Sequence, residues 1–137
     1  MGGKSVFVDT SGFLALLNRD DEHHAAAKAS WVAFGNEGRE VWTSDYVRLE
    51  TCALIQRRLG VEALKDFYDR ILVLIRVLPV GEEGFRRAFE IWRLAGRKQL
   101  SLVDITSFHL MRGNGTANAL AFDRHFAEQG FQIPRGT

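Results

Sequence analysis

The feature that most limits what this chain can fold into is an alternation. Short runs of strand-forming residues recur along it, and one or two helical stretches separate each run from the next. Val6-Phe7-Val8, Val41-Trp42-Thr43, Ile75 to Val80 and Ala119 to Phe122 read as strands, with Phe131-Gln132-Ile133 as a last one. Ser11 to Asn18 reads as a helix with Phe13, Leu14 and Leu17 on one side, and His23 to about Asn36 as a second, closed by Gly35 and Gly38. Ser44 is placed to cap a helix that continues to Leu59 and stops at Gly60, and Val61 to about Leu72 follows. Gly84 to Lys98 carries Phe85, Ala88, Phe89 and Trp92 at helical spacing, and Leu102 to Arg112 ends in the turn signal Gly113-Asn114-Gly115. Strands joined through helices cannot pair as hairpins. They need crossovers, so the expected fold is α/β, with a mostly parallel central sheet and helices on both faces.

The 137 residues suit one domain, expected to span 1–137, with no repeats and only two prolines to mark a linker. A chain of this size buries roughly two-thirds of its unfolded surface. The strongest apolar run, Ile71 to Ile75, stops at Arg76, well short of a membrane span. The stretch before Asp9 lacks a signal-peptide pattern, and Val6 stands where a myristoylation motif needs Ser or Thr. One cysteine, Cys52, allows no internal disulfide and suits a reducing compartment, so a soluble cytoplasmic protein is expected. The net charge of +1 says little about partners, but Arg outnumbers Lys 14 to 4. Guanidinium binds phosphate in bidentate fashion, yet a GC-rich genome yields the same bias, so the excess matters only if the arginines share a face.

Four acids stand out. In a parallel α/β sheet, functional groups collect beyond the carboxyl ends of the strands. Asp9 follows Val6-Phe7-Val8 directly and Asp123 follows Ala119 to Phe122 in the same manner. Each alone is equally well a turn former or a helix N-cap. Glu50 shares a helix face with Val47 and Leu54, where a charge is costly unless something pairs with it. Asp104 lies four before Phe108 and seven before Met111, on an apolar face, and Ser101-Leu102-Val103-Asp104 also matches a capping signature. Together the four suggest an inward-facing carboxylate cluster, which stays ionised only around a cation. Hard oxygen ligands favour Mg2+ or Mn2+, and no Cys/His zinc spacing exists here. Such ions activate water for in-line attack on phosphate.

Val8-Asp9-Thr10-Ser11, Glu50 within a helix, Ser101-Leu102-Val103-Asp104 and Phe122-Asp123-Arg124-His125-Phe126 resemble, in order, the acidic motifs of PIN domains. The resemblance runs from about Val6 to Phe131 and is closest to the VapC-type toxins of toxin–antitoxin pairs. It implies a PIN-like three-layer sandwich and a metal-dependent endoribonuclease with Asp9, Glu50, Asp104 and Asp123 as its acidic site. A homodimer, and a small antitoxin whose tail blocks the site, are implied too. Thr10, Ser11, Ser101 and Thr106 resemble the hydroxyl residues around the family's site, with Thr10, Ser11 and Ser101 the candidate supporting donors. One departure is Ile105, where the family commonly has a small residue; its bulk is expected to shift the helix slightly.

Other signals weigh less. Adjacent helical residues diverge, so of His23 and His24 at most one could face a given site. His125 could carry a proton, but a packed or solvent-facing imidazole is the better expectation. Trp31, Trp42 and Trp92 read chiefly as core, though an exposed one could stack on a base. Cys52 reads as an inert buried thiol. Candidate phosphate-binding residues are Arg48, Arg57, Arg58, Arg86, Arg87, Arg93, Arg97 and Lys98. Two other classes remain open on the residues alone. An aspartyl phosphatase generally wants a second acid two residues after the first, where Ser11 stands. A Mg2+-binding regulatory module, or a housekeeping nuclease of RNA processing, would use a similar cluster.

Overall fold

The computed structural model describes residues 4–96 and 100–134. Its four strands are β1 (Ser5–Val8), β2 (Glu40–Ser44), β3 (Arg76–Leu78) and β4 (Asn118–Leu120), and they form one sheet in the order β3-β2-β1-β4. Every pairing is parallel. The helices are α1 (Thr10–Leu17), α2 (His24–Asn36), α3 (Asp45–Arg58), α4 (Val61–Arg70), α5 (Gly81–Ala95), α6 (Leu102–Gly113) and α7 (Arg124–Glu128), with a 3-10 turn at Leu72–Leu74.

The chain lays down β1, β2 and β3 in one direction, then crosses back to place β4 on the other side of β1. Right-handed crossovers therefore put α1 to α4 on one face and α5 and α6 on the other, as the alternation predicts. Ring contacts agree. Phe7 of β1 meets Trp42 of β2 edge-on at 4.9 Å and stacks with Phe126 of α7, which in turn meets Phe108 of α6. On the opposite face Phe13 of α1 meets Phe67 of α4 at 5.1 Å. All of these rings except Phe108, which is 2 % exposed, are fully buried.

Several boundaries depart from expectation for identifiable reasons. Phe131 to Ile133 is not a strand; Gln132 makes only an isolated parallel bridge to Asn118. The short helix α7 was not expected, because its five residues are too few for a periodic pattern. β4 ends at Leu120 because the Phe122 N–H goes to the Ser11 hydroxyl. β3 shrinks to Arg76–Leu78 because the 3-10 turn precedes it and the Val80 N–H is taken by the Asp45 carboxylate. α5 begins at Gly81, before the expected start at Gly84, and ends at Ala95. There Gly96, at φ 60°, supplies the left-handed cap that returns its N–H to Trp92. The expected end at Lys98 lies outside the described residues.

Gly12 fixes how α1 meets the sheet. A Cβ added there would stand 2.1 Å from the Leu120 carbonyl oxygen, a main-chain atom of β4 that cannot swing aside. Gly12→Ala should therefore destabilise the fold by about 1–3 kcal/mol or more, as overpacking does. A melting temperature lower by roughly 5 °C or more is the expected reading for a chain of this size. A melt matching the parent's would mean that α1 is free to move off β4.

Candidate active site

The sheet reverses its order of addition between β1 and β4, and ligands in open α/β sheets bind beyond the strand ends at such a point. Asp9 leaves β1 there. Its N–H donates to the Leu120 carbonyl at 3.1 Å, and its side chain caps α1. Oδ2 of Asp9 accepts from the Ser11 N–H at 3.2 Å and from the Ser11 hydroxyl at 2.8 Å. The same hydroxyl accepts from the Phe122 N–H at 3.0 Å. Ser11 thus ties the first acid to the segment that delivers Asp123.

Asp123 caps α7, with Oδ1 accepting from the His125 N–H at 2.9 Å. Asp104 lies in the first turn of α6, and its N–H donates to the Ser101 hydroxyl at 3.0 Å. The Ser101 hydroxyl thus caps α6, the structural role that the pattern read in the sequence allows. Glu50 comes from the second turn of α3 and accepts from the Thr10 hydroxyl at 3.0 Å; Thr10 Oγ1 also lies 3.0 Å from the buried Thr51 hydroxyl. Two of the three expected hydroxyl donors contact a carboxylate, Ser11 that of Asp9 and Thr10 that of Glu50, while the Ser101 hydroxyl accepts from the Asp104 main-chain N–H.

The carboxylates feel one another. Burial raises Asp9 to about 7; the charge of Asp104 adds to this, against the lowering hydrogen bonds from Ser11 and Thr10. Burial likewise raises Asp104 to about 6, with the charge of Asp123 adding and Ser101 and His125 opposing. Asp9, Asp104 and Asp123 thus form a repelling series of hard oxygen donors, a set whose charge a divalent cation would neutralise. Among the described residues, no three His, Cys, Asp or Glu side chains are gathered tightly enough as placed to hold a metal ion. The chemistry of the donors fits Mg2+ or Mn2+; closing a shell would require rotation of side chains about fixed backbone positions.

The remaining expectations fare unevenly. Ile105 is buried, and its N–H makes a helical bond to the Ser101 carbonyl at 3.2 Å. The His125 imidazole is mostly buried and lies 2.8 Å from a Glu128 carboxylate oxygen, within electrostatic reach of Asp104. The His23 ring stacks on Phe122 at 4.5 Å, and His24 Nδ1 lies 2.8 Å from the Ala15 carbonyl oxygen. Burial raises the Cys52 thiol, against the opposing charge of Arg48. The arginines do not form one rim. Arg57 and Arg58 sit in the last turn of α3, roughly 20 Å along the helix from its start at the strand ends. Arg86 pairs with Glu82 and Arg93 with Glu90, Arg48 and Arg87 are exposed, and Arg97 and Lys98 lie outside the described residues. Sequence reasoning missed Thr51, whose only signal was its place beside Glu50.

Residues 6–132 match the model of the PIN domain. The chain belongs to the PIN-domain family. This PIN domain is 37% identical over 127 residues to the 23S rRNA-specific endonuclease VapC20 of Mycobacterium tuberculosis, from both strain CDC 1551 / Oshkosh and strain H37Rv. The match covers 92% of this chain and 95% of the relative. The crystal structure of Mycobacterium tuberculosis VapC20, described as a sarcin–ricin loop cleaving toxin, superposes with a TM-score of 0.80, covering 93% of this chain and 96% of that one. FitAcB from Neisseria gonorrhoeae shares the PIN fold alone, at 14% identity, with a TM-score of 0.69 over 96% of this chain and 97% of that one.

Proposed function

We propose that this chain is a metal-dependent endoribonuclease and the toxin of a toxin–antitoxin pair. The observation that carries the reading is the approach of Asp9, Asp104 and Asp123 at the sheet's reversal point, where the charge of Asp104 raises Asp9 and that of Asp123 raises Asp104. Chains that bury like charges together rarely do so without a cation to receive. The similarity to VapC20 supports RNA as the substrate.

In this reading Asp9, Asp104 and Asp123, joined by Glu50, hold Mg2+ or Mn2+. The metal supplies an activated water and charge neutralisation at the leaving oxygen. The protein's own residues do the rest. Ser11 holds the Asp9 carboxylate in place and keeps its spacing to the Asp123 segment. Ser101 fixes Asp104 on the first turn of α6, and Thr10 holds Glu50 against α1. Arg48, Arg86, Arg87, Arg93, Arg97 and Lys98 are the candidates for guiding phosphates toward the acids. Arg57 and Arg58, at the far end of α3, could act only on distant RNA.

The partners follow from the same reading. An acidic cleft is a receptor for a cationic side chain, so a small antitoxin inserting Arg or Lys would silence it. The protein is proposed to be a homodimer that works as one PIN domain per chain in the cytoplasm. No helix among the described residues is long and apolar enough to cross a membrane.

The deciding experiment incubates the purified protein with fluorescent RNA in Mn2+, with and without EDTA, and isolates the native protein for mass spectrometry. Cleavage that stops in EDTA, with a short basic-tailed partner recovered, is expected. A chain that is isolated alone and harmless when overproduced would be better read as a housekeeping nuclease. One that binds metal yet leaves every RNA intact would be a regulatory module.

A further inference from the structure

A buried hydroxyl on a helix can satisfy itself on the carbonyl three or four residues back. In α6 this happens twice: the Thr106 and Ser107 hydroxyls donate to the Val103 carbonyl at 2.6 and 3.1 Å. Thr51 of α3 is as fully buried as these two, yet its hydroxyl is turned to another helix, 3.0 Å from the Thr10 hydroxyl of α1. The direction of that bond follows from counting protons. A hydroxyl has one hydrogen to give, and an ionised carboxylate has none. The Thr10 hydrogen goes to Glu50 Oε1 at 3.0 Å. Towards Thr51, therefore, Thr10 can only accept, and the bonds run in one sense, from Thr51 to Thr10 to Glu50. Thr10 is itself buried, which leaves water little access to replace the Thr51 donor. It also follows Asp9 directly, and its main-chain N–H helps to lower the proton affinity of that carboxylate. One residue thus serves two of the four acids, Asp9 through its main chain and Glu50 through its hydroxyl.

We propose that Thr51 is a positioning residue of the acidic site, whose hydroxyl orients the single Thr10 hydroxyl proton onto Glu50 and so holds that carboxylate in place for the cation. The proposal rests on the ribonuclease reading and adds a residue to that same site. A hydroxyl without a donor of its own is free to turn about its C–O bond. Filling one of its lone pairs leaves Thr10 a single productive orientation, and a hydroxyl that accepts is also the stronger donor, because bonds in a chain polarise one another. Glu50 has the most to gain. Its side chain is long and half-exposed, and among the described residues the Thr10 hydroxyl is the side-chain donor to its carboxylate. Carboxylates that bind metal rely on such outer hydrogen bonds to keep their orientation. A bond that merely packed α1 on α3 would leave cation binding untouched, and that difference can be measured.

The test measures Mn2+ binding by the full chain directly, from the electron paramagnetic resonance of the free ion, beside RNA cleavage and a thermal melt in EDTA. Thr51→Val keeps the shape of the side chain and removes the hydroxyl. It should weaken Mn2+ affinity about 10-fold, the low end of what losing an outer hydrogen-bond partner costs a metal site. Thr51→Ser keeps the hydroxyl and should bind Mn2+ as the parent does. Glu50→Ala should weaken binding too, and adding Thr51→Val to it should cost nothing more, because the effect has lost its route. If the Thr51→Val chain does not fold, Thr51→Ala set against Thr51→Ser makes the same comparison, since both lose the methyl group and only Ala loses the hydroxyl. Unchanged Mn2+ affinity in a folded Thr51→Val chain, whatever its melting temperature, makes the bond a packing contact and overturns the proposal while leaving the ribonuclease reading intact. So does a Thr51→Ser chain that loses as much as Thr51→Val, or a full further loss when Thr51→Val is added to Glu50→Ala. A parent chain that neither binds Mn2+ nor cleaves RNA removes both readings.

Discussion

Asp9→Asn and Asp104→Asn should each abolish RNA cleavage, with losses of several orders of magnitude, while the fold persists. The reason is cooperative. The proposed reaction needs a cation held by several carboxylates at once, and removing one member of a set that acts as a unit costs about as much as removing the set. Asn is the informative replacement because it keeps the size of the side chain. It is also as good an N-cap as Asp, so α1 retains its start when Asp9 is replaced. At Asp104 the Ser101 hydroxyl still caps α6, since it is the Asp104 main-chain N–H that it accepts. Circular dichroism and a thermal melt check that the variants are folded; a timed cleavage assay in Mn2+ measures the loss. Near-normal metal-dependent turnover in both variants would remove the acidic site from the mechanism.

A second large effect needs no substrate. Without metal, the parent protein should be more stable at pH 5 than at pH 8. Asp9 is raised from 3.8 to about 7 in the fold. Between those values the folded protein holds a proton that the unfolded chain has lost, so stability falls as pH rises from about 4 to 7. At 1.36 kcal/mol per unit, the Asp9 contribution is bounded by something on the order of 4 kcal/mol, less what is shared with Asp104. Asp104, raised by burial and by Asp123, adds in the same direction. Asp9→Asn should flatten this slope and leave the EDTA-treated protein at pH 8 as stable as the parent or more so. Mg2+ or Mn2+ should reverse the pattern, because the ion binds the deprotonated native state and stabilises it by mass action. The rise in melting temperature should be larger at pH 8 than at pH 5, and much smaller in the variant. Melts of parent and variant at both pH values, with EDTA or with metal, read all of this. A destabilised variant with the parent's pH slope and metal response would make Asp9 a structural cap.

Much of the fold was legible before any coordinates because its causes are local. The strand at Val6-Phe7-Val8, the Ser44 cap of α3 and the parallel alternation depend on neighbours within one or two turns, and each is where the pattern predicted. The elements that went astray have distant causes. β4 stops short because Phe122 is claimed by Ser11, |i−j| = 111 away, and Phe131 to Ile133 forms only a bridge because its pairing partner is that shortened strand.

The site divides in the same way. The chain alone specified which side chains are acidic and that Asp104 stands at the start of a helix, since capping obeys short-range spacing, while the helix that Asp123 caps was too short to be read. It could not specify that the charge of Asp104 bears on Asp9 and that of Asp123 on Asp104, that Thr10 reaches Glu50 across two helices, or that His125 lies within reach of Asp104. Nor could it separate Trp92 from Trp42, or Arg48 from Arg58, because burial and shared faces are properties of packed surfaces. Proton affinity, too, depends on how much water the fold removes and which charges it brings near, and those are settled only when β1, β4, α3 and α6 come together.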